Sequence, residues 1–81
     1  MSIGIADLNV TEDEAEGIAA LRCLREDGWA VAVHNDYRVN GEPHTFWLFT
    51  HPSGHWLKGE GKTDGVALRS CVVQAARQNR N

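Results

Sequence analysis

Three of the four histidines in this chain, His44, His51 and His55, fall within one short stretch. Histidine is the side chain best suited to bind a metal or move a proton near neutral pH. His51 and His55 flank Pro52-Ser53-Gly54 and can approach each other across that turn, with His44 at the far end of the same strand. A zinc site takes four ligands in a tetrahedron, usually with cysteines or a carboxylate among them. Cys23 and Cys71 stand in segments of helical pattern and no Cys-x-x-Cys is present, so turn-flanking histidines are expected here rather than a metal centre. Neither cysteine has the electropositive, helix-start position that makes a thiolate reactive. Gly59-Glu60-Gly61-Lys62-Thr63 has the glycines and the Lys-Thr of a phosphate loop but not its spacing. No pair of carboxylates falls in an evident apolar pocket that would split their pKa values. No catalytic residue, metal or cofactor is therefore assigned, and the chain is expected not to be an enzyme.

The chemistry that remains is that of surfaces. His44 to Leu57 reads His-Thr-Phe-Trp-Leu-Phe-Thr-His-Pro-Ser-Gly-His-Trp-Leu and holds four of the six aromatic residues. A strand shows its side chains to alternate faces, so Phe46 and Leu48 fall on one face and Trp47 and Phe49 on the other. One domain of 81 residues is too small to bury both. The excess is expected to meet a protein partner, including a second copy of the chain as a homodimer.

Composition bounds the rest. A hydrophobic content of 42% fits a globular chain, and no apolar run is long enough to span a bilayer. The acidic start, with Asp7, Glu12, Asp13, Glu14 and Glu16, is not that of a secretory signal. With the cysteines read as small apolar fillers, a reducing, cytoplasmic setting is expected. A net charge of −3 argues against a generic binder of nucleic acid or anionic membrane. The charge is uneven, however, with Lys58, Lys62, Arg69, Arg77 and Arg80 gathered towards the C-terminus.

The elements follow from local signals. Residues 1–10 lack periodicity and read as an irregular arm before a core spanning 11–80. Thr11-Glu-Asp-Glu14 is a capping box, and Ala15, Ile18, Leu21 and Leu24 then recur at helical spacing up to Gly28. A first helix is predicted over 12–26. Trp29 to Val39 alternates as a strand, and Asn40-Gly41-Glu42-Pro43 reads as a turn. The aromatic strand follows, then the Pro52-Ser53-Gly54 turn and a third strand over 55–61. Thr63 can cap a last helix carrying Leu68, Cys71, Val72, Ala75 and Ala76 on one stripe. The order is α-β-β-β-α, an α+β fold with a three-stranded antiparallel meander and both helices on one face.

If Val39 lies opposite His44 and Thr50 opposite His55, then Val33, Tyr37, Phe46, Leu48 and Leu57 share a face. Trp47, Phe49 and Trp56 form the other, beside Lys58, His34 and Arg38, and are the expected anchors of an interface. A one-residue slip would exchange the two sets. The alternative cover for that face is the arm, through Ile3, Ile5, Leu8 and Val10.

This order and length resemble the double-stranded-RNA-binding domain. Gly41-Glu42-Pro43-His44 is similar to the loop by which that family enters the RNA minor groove. Gly59-Glu60-Gly61-Lys62-Thr63, followed by Ala67 and Ala75-Ala76, is similar to its entry into the last, alanine-rich helix. The resemblance covers roughly residues 12–78 and implies RNA contacts from His44, Lys62 and Arg69. The family's phosphate-gripping lysines are replaced here by Asp64, Gly65 and Leu68.

The leading expectation is a non-catalytic interaction module using Trp47, Phe49, Trp56 and Lys58; the alternative is a diverged double-stranded-RNA-binding domain. A compact acidic chain also suits a phage or mobile-element accessory protein that inhibits a host complex.

Overall fold

A computed structural model describes residues 11–78 of the protein. The elements run α1 (Glu12–Glu26), β1 (Ala30–Val39), β2 (Glu42–Thr50), β3 (Trp56–Gly61) and α2 (Asp64–Gln78). The arm at 1–10, including its suggested role as a cover, lies outside the described residues. So does the end of the predicted core at 79–80.

Both ends of α1 form as local chemistry dictates. The Glu14 N–H donates to Thr11 Oγ1 at 3.1 Å, and Glu12, Asp13 and Glu14 sit at the positive end of the helix dipole. Gly28, with φ of 95°, ends the helix, since a residue there needs the left-handed region. The Trp29 N–H then reaches the Leu24 carbonyl at 3.0 Å, which also brings both side chains into the core.

The sheet is an antiparallel meander in the order β1-β2-β3. Its register differs from the expected one at both turns. Asn40 and Gly41 both have positive φ, 53° and 81°, and form a two-residue turn that pairs Val39 with Glu42. Glu42 and Pro43 are therefore strand residues, and His44 pairs with Tyr37. At the second turn the His51 N–H donates to the His55 carbonyl at 3.0 Å, so Thr50 faces Trp56 and not His55. The first change is by two residues and preserves the faces. The second is by one and exchanges Leu57 with Trp56.

One face of β2 and β3 thus presents Thr45, Trp47, Phe49, Leu57 and Gly59, all buried, to the helices. α2 lies across it with Ala67, Leu68, Cys71 and Ala75, and α1 packs against α2, adding Leu24. Gly59 lets α2 approach this closely: a Cβ there would lie 2.6 Å from Cys71 Sγ. β1 extends past the helices, and all ten of its residues are exposed. The order and antiparallel sheet make an α+β fold compatible with the arrangement of a double-stranded-RNA-binding domain. Among the described residues no helix is long and apolar enough to cross a membrane.

Candidate interaction surface

The helix-free face of the sheet is built from alternate residues of all three strands. β1 contributes Val33 and Tyr37, β2 contributes Phe46 and Leu48, and β3 contributes Trp56 beside Lys58 and Glu60. Trp56 is 59% exposed and Val33 42%, while Phe46 and Leu48 are half-buried by their neighbours. Burial among these groups, and then the adjacent Glu60 carboxylate, raises the Tyr37 hydroxyl above its ordinary pKa. The result is an apolar strip bordered by charge, the composition of an interface centre and its rim.

The four residues expected as interface anchors are divided by the sheet. Trp56 and Lys58 lie on the open face, but Trp47 and Phe49 lie beneath the helices at 8% and 0% exposure. Their assignment as exposed anchors is corrected: they are core residues, stacked with ring centroids 5.8 Å apart. The one-residue change at the β2–β3 turn puts Trp56 and Lys58 on the opposite face from that pair, and the packing of α2 on the pair's own face buries it. Phe46, Leu48, Val33 and Tyr37 take their place on the open side.

Behind this face, where β1 projects past the helices, lies a polar cluster that the sequence reading did not assemble. His34 stacks on Trp47 with centroids 3.9 Å apart. Its Nε2 lies 3.4 Å from Asp36 Oδ1 and 3.5 Å from Asp64 Oδ1. Asp64 Oδ1 also accepts from Thr45 Oγ1 at 3.2 Å and from the Trp47 indole N–H at 3.0 Å. Ligating atoms of His34, Asp36 and Asp64 lie within 4.8 Å of one another. Among the described residues this donor set is the one that could hold a divalent cation; with His34 protonated, the same atoms form a compact ion-pair network. The sequence signal was His34-Asn35-Asp36, two ligands on one strand face, but Asp64 joins them only through the fold.

The histidines singled out first do a different task. Ser53 Oγ lies 2.8 Å from Nδ1 of both His51 and His55. The Ser53 N–H donates to His51 Nδ1 at 3.1 Å, so that nitrogen is an acceptor and the proton sits on Nε2. Nε2 in turn donates to the Asp27 carbonyl at 3.1 Å. His51 therefore ties the β2–β3 turn to the end of α1, while its ring packs 4.9 Å from that of Trp29.

The residues suggested by the RNA resemblance are brought together only in part. His44 and Lys62 line one shallow cavity with Arg38 and Thr63, but Asp36 and Asp64 line it too. Arg69 lies elsewhere, paired with Glu16 at 2.5 Å. The start of α2 already faces acid: Thr63 Oγ1 donates to Asp13 Oδ1 at 2.8 Å and accepts from the Val66 N–H at 3.3 Å.

Compared with protein-family models, the chain matches none. No curated protein and no solved structure matches it either.

Proposed function

We propose that this protein is a small non-catalytic interaction module that binds a protein partner through its open sheet face. The observation that supports this reading is the apolar strip of Val33, Tyr37, Phe46, Leu48 and Trp56, with no helix over it among the described residues. A contiguous apolar patch rimmed by charge is characteristic of a contact surface. Trp56 is its projecting anchor, since tryptophans at the centre of interfaces carry a large share of the binding energy. The module needs no cofactor for this, and its reading as a cytoplasmic protein rests on the sequence.

The test compares partners retained from cell extract by immobilised wild type, Trp56→Asp and Val73→Asp. Val73 is an exposed apolar residue on α2, so its variant controls for a general loss of hydrophobicity. A protein held by wild type and Val73→Asp but lost by Trp56→Asp supports the reading. Identical retention by all three proteins overturns it.

A diverged double-stranded-RNA-binding domain is a second reading, favoured by the common cavity of His44 and Lys62. Asp13, Asp36 and Asp64 act against it there, because duplex RNA is held mainly through its phosphates. It requires a duplex affinity that falls steeply with added salt and falls again in Lys62→Glu.

A further inference from the structure

The two edges of the sheet are treated differently. Along β3, the Lys58 N–H donates to Gln74 Oε1 at 3.4 Å and Gln74 Nε2 donates to the Lys58 carbonyl at 2.6 Å. One turn on, Gln78 Nε2 donates to the Trp56 carbonyl at 3.4 Å. A primary amide offers a donor and an acceptor side by side, as a peptide group does. Gln74 therefore occupies the place of a neighbouring strand beside Lys58, and the β3 edge is covered along Trp56 and Lys58.

These bonds also set the phase of the ladder. Backbone groups along an antiparallel strand point alternately to its two sides. Lys58 points at α2, so Leu57 and Gly59 point at β2, where they meet Phe49 and Trp47. Glu42, His44, Phe46 and Leu48 then face β1 and pair with Val39, Tyr37, Asn35 and Val33. Pro43, which has no N–H to give, falls at a position facing away from β1, as this phase requires. The N–H and C=O groups of His34, Asp36 and Arg38 are left pointing outward, and no strand lies along them among the described residues.

An open edge of this length is a template for another strand. We infer that its occupant is β1 of a second copy, antiparallel about a two-fold axis, giving a six-stranded sheet in the order β3-β2-β1-β1-β2-β3. Charge and strand overlap together select the register. An axis at Asp36 would place two carboxylates face to face, and like charges directly opposite are destabilising. An axis at Asn35 places His34 opposite the second copy's Asp36 in both halves. On the open face it sets Val33 against Tyr37, extending the apolar strip across the junction. An axis at Tyr37 would also match charges, pairing Asp36 with Arg38, but leaves the first half of β1 overhanging. Asn35 lies near the midpoint of β1 and is the axis that uses the strand most fully. The irregularity between Val31 and Val33 ends the regular pairing, and because each copy uses the same edge about the two-fold axis, the assembly closes at two copies instead of a fibre.

The inference uses the β1 edge and is independent of the open-face reading. The test is the solution mass of the full chain by light scattering, with three variants. Wild type is expected as a dimer. Asp36→Pro removes an outward N–H that the β1–β2 ladder does not use and is expected to be a folded monomer by circular dichroism. In a Cys23→Ser background, Asn35→Cys is expected to cross-link covalently on mild oxidation, because a non-hydrogen-bonded pair has Cα atoms about 4.5 Å apart. Tyr37→Cys in the same background is expected to remain largely uncross-linked.

Several results overturn the inference. One is a wild-type monomer at every concentration, whether or not hydrogen exchange finds the His34, Asp36 and Arg38 amides protected by residues of the same chain. Another is a dimer that survives Asp36→Pro but is lost in Trp56→Asp, which moves the contact to the sheet face. Cross-linking by Tyr37→Cys in place of Asn35→Cys overturns the register.

Discussion

The indole N–H of Trp47 donates to Asp64 Oδ1 at 3.0 Å, joining the centre of the sheet to the first residue of α2. The same oxygen accepts from Thr45 Oγ1 at 3.2 Å. Thr45 and Trp47 are both buried, so this carboxylate satisfies two donors that water does not readily reach. It also sits at the positive end of the α2 dipole. One side chain thus serves the core and the start of a helix together.

Replacing Asp64 by Ala is expected to lower stability by about 1–3 kcal/mol, the usual cost of leaving buried polar groups unpaired. Asp64→Asn keeps an acceptor and should recover more than half of that loss. Urea denaturation of the two variants checks the order. Equal losses would show that the hydrogen bonds to Asp64 contribute little.

The two central tryptophans should separate sharply under mutation. Trp47→Ala removes a buried aromatic from the core and is expected to cost about 3–5 kcal/mol. Trp56, 59% exposed, should change stability by no more than about 0.5 kcal/mol when replaced by Ala. Thermal or urea unfolding measures both. The reverse order would require the face assignment to be exchanged.

Gly59 is where α2 presses on β3. A Cβ at this position meets Cys71 Sγ and the Ala67 backbone. Because the backbone cannot yield as a flexible side chain does, Gly59→Ala is expected to destabilise by about 1–3 kcal/mol through overpacking. Wild-type stability in this variant would place α2 further from the sheet.

The two cysteines should differ in reactivity. Cys71 is fully buried, and burial pushes its thiol pKa up to about 11, while Cys23 is exposed. Iodoacetamide at pH 8 is expected to modify Cys23 in the folded protein and Cys71 only after unfolding, as peptide mass spectrometry would read. The folded state binds the Cys71 proton more tightly than the unfolded state does. Its contribution to stability is therefore complete below pH 9 and lost as pH rises through about 11. Unfolding midpoints measured across that range should fall in wild type and fall less in Cys71→Ala.

Local signals made much of the fold legible in the sequence. Thr11 and Glu14 at capping-box spacing, with Gly28 at the other end, bounded α1 correctly because caps act over a few residues. Periodicity and turn residues likewise supplied the order α-β-β-β-α. The sequence also implied that one sheet face would keep an apolar surface. It did not identify that face. Phe46 and Leu48 alternate with Trp47 and Phe49, so a strand apolar on both sides carries no phase of its own.

The phase was decided at two turns and at one helix. Asn40 and Gly41 take a two-residue turn, the His51 N–H bonds the His55 carbonyl, and Gln74 caps the Lys58 backbone. The β2–β3 turn leaves Trp56 on the face opposite Trp47 and Phe49, and the packing of α2 on the latter face sends that pair inward. The cluster of His34, Asp36 and Asp64 was equally illegible, since its members come from a strand and a helix distant in the chain. Element identity lies in short-range backbone chemistry, which a sequence displays directly. Which residues face a partner depends on register and packing between distant segments, and those exist only once the chain has folded.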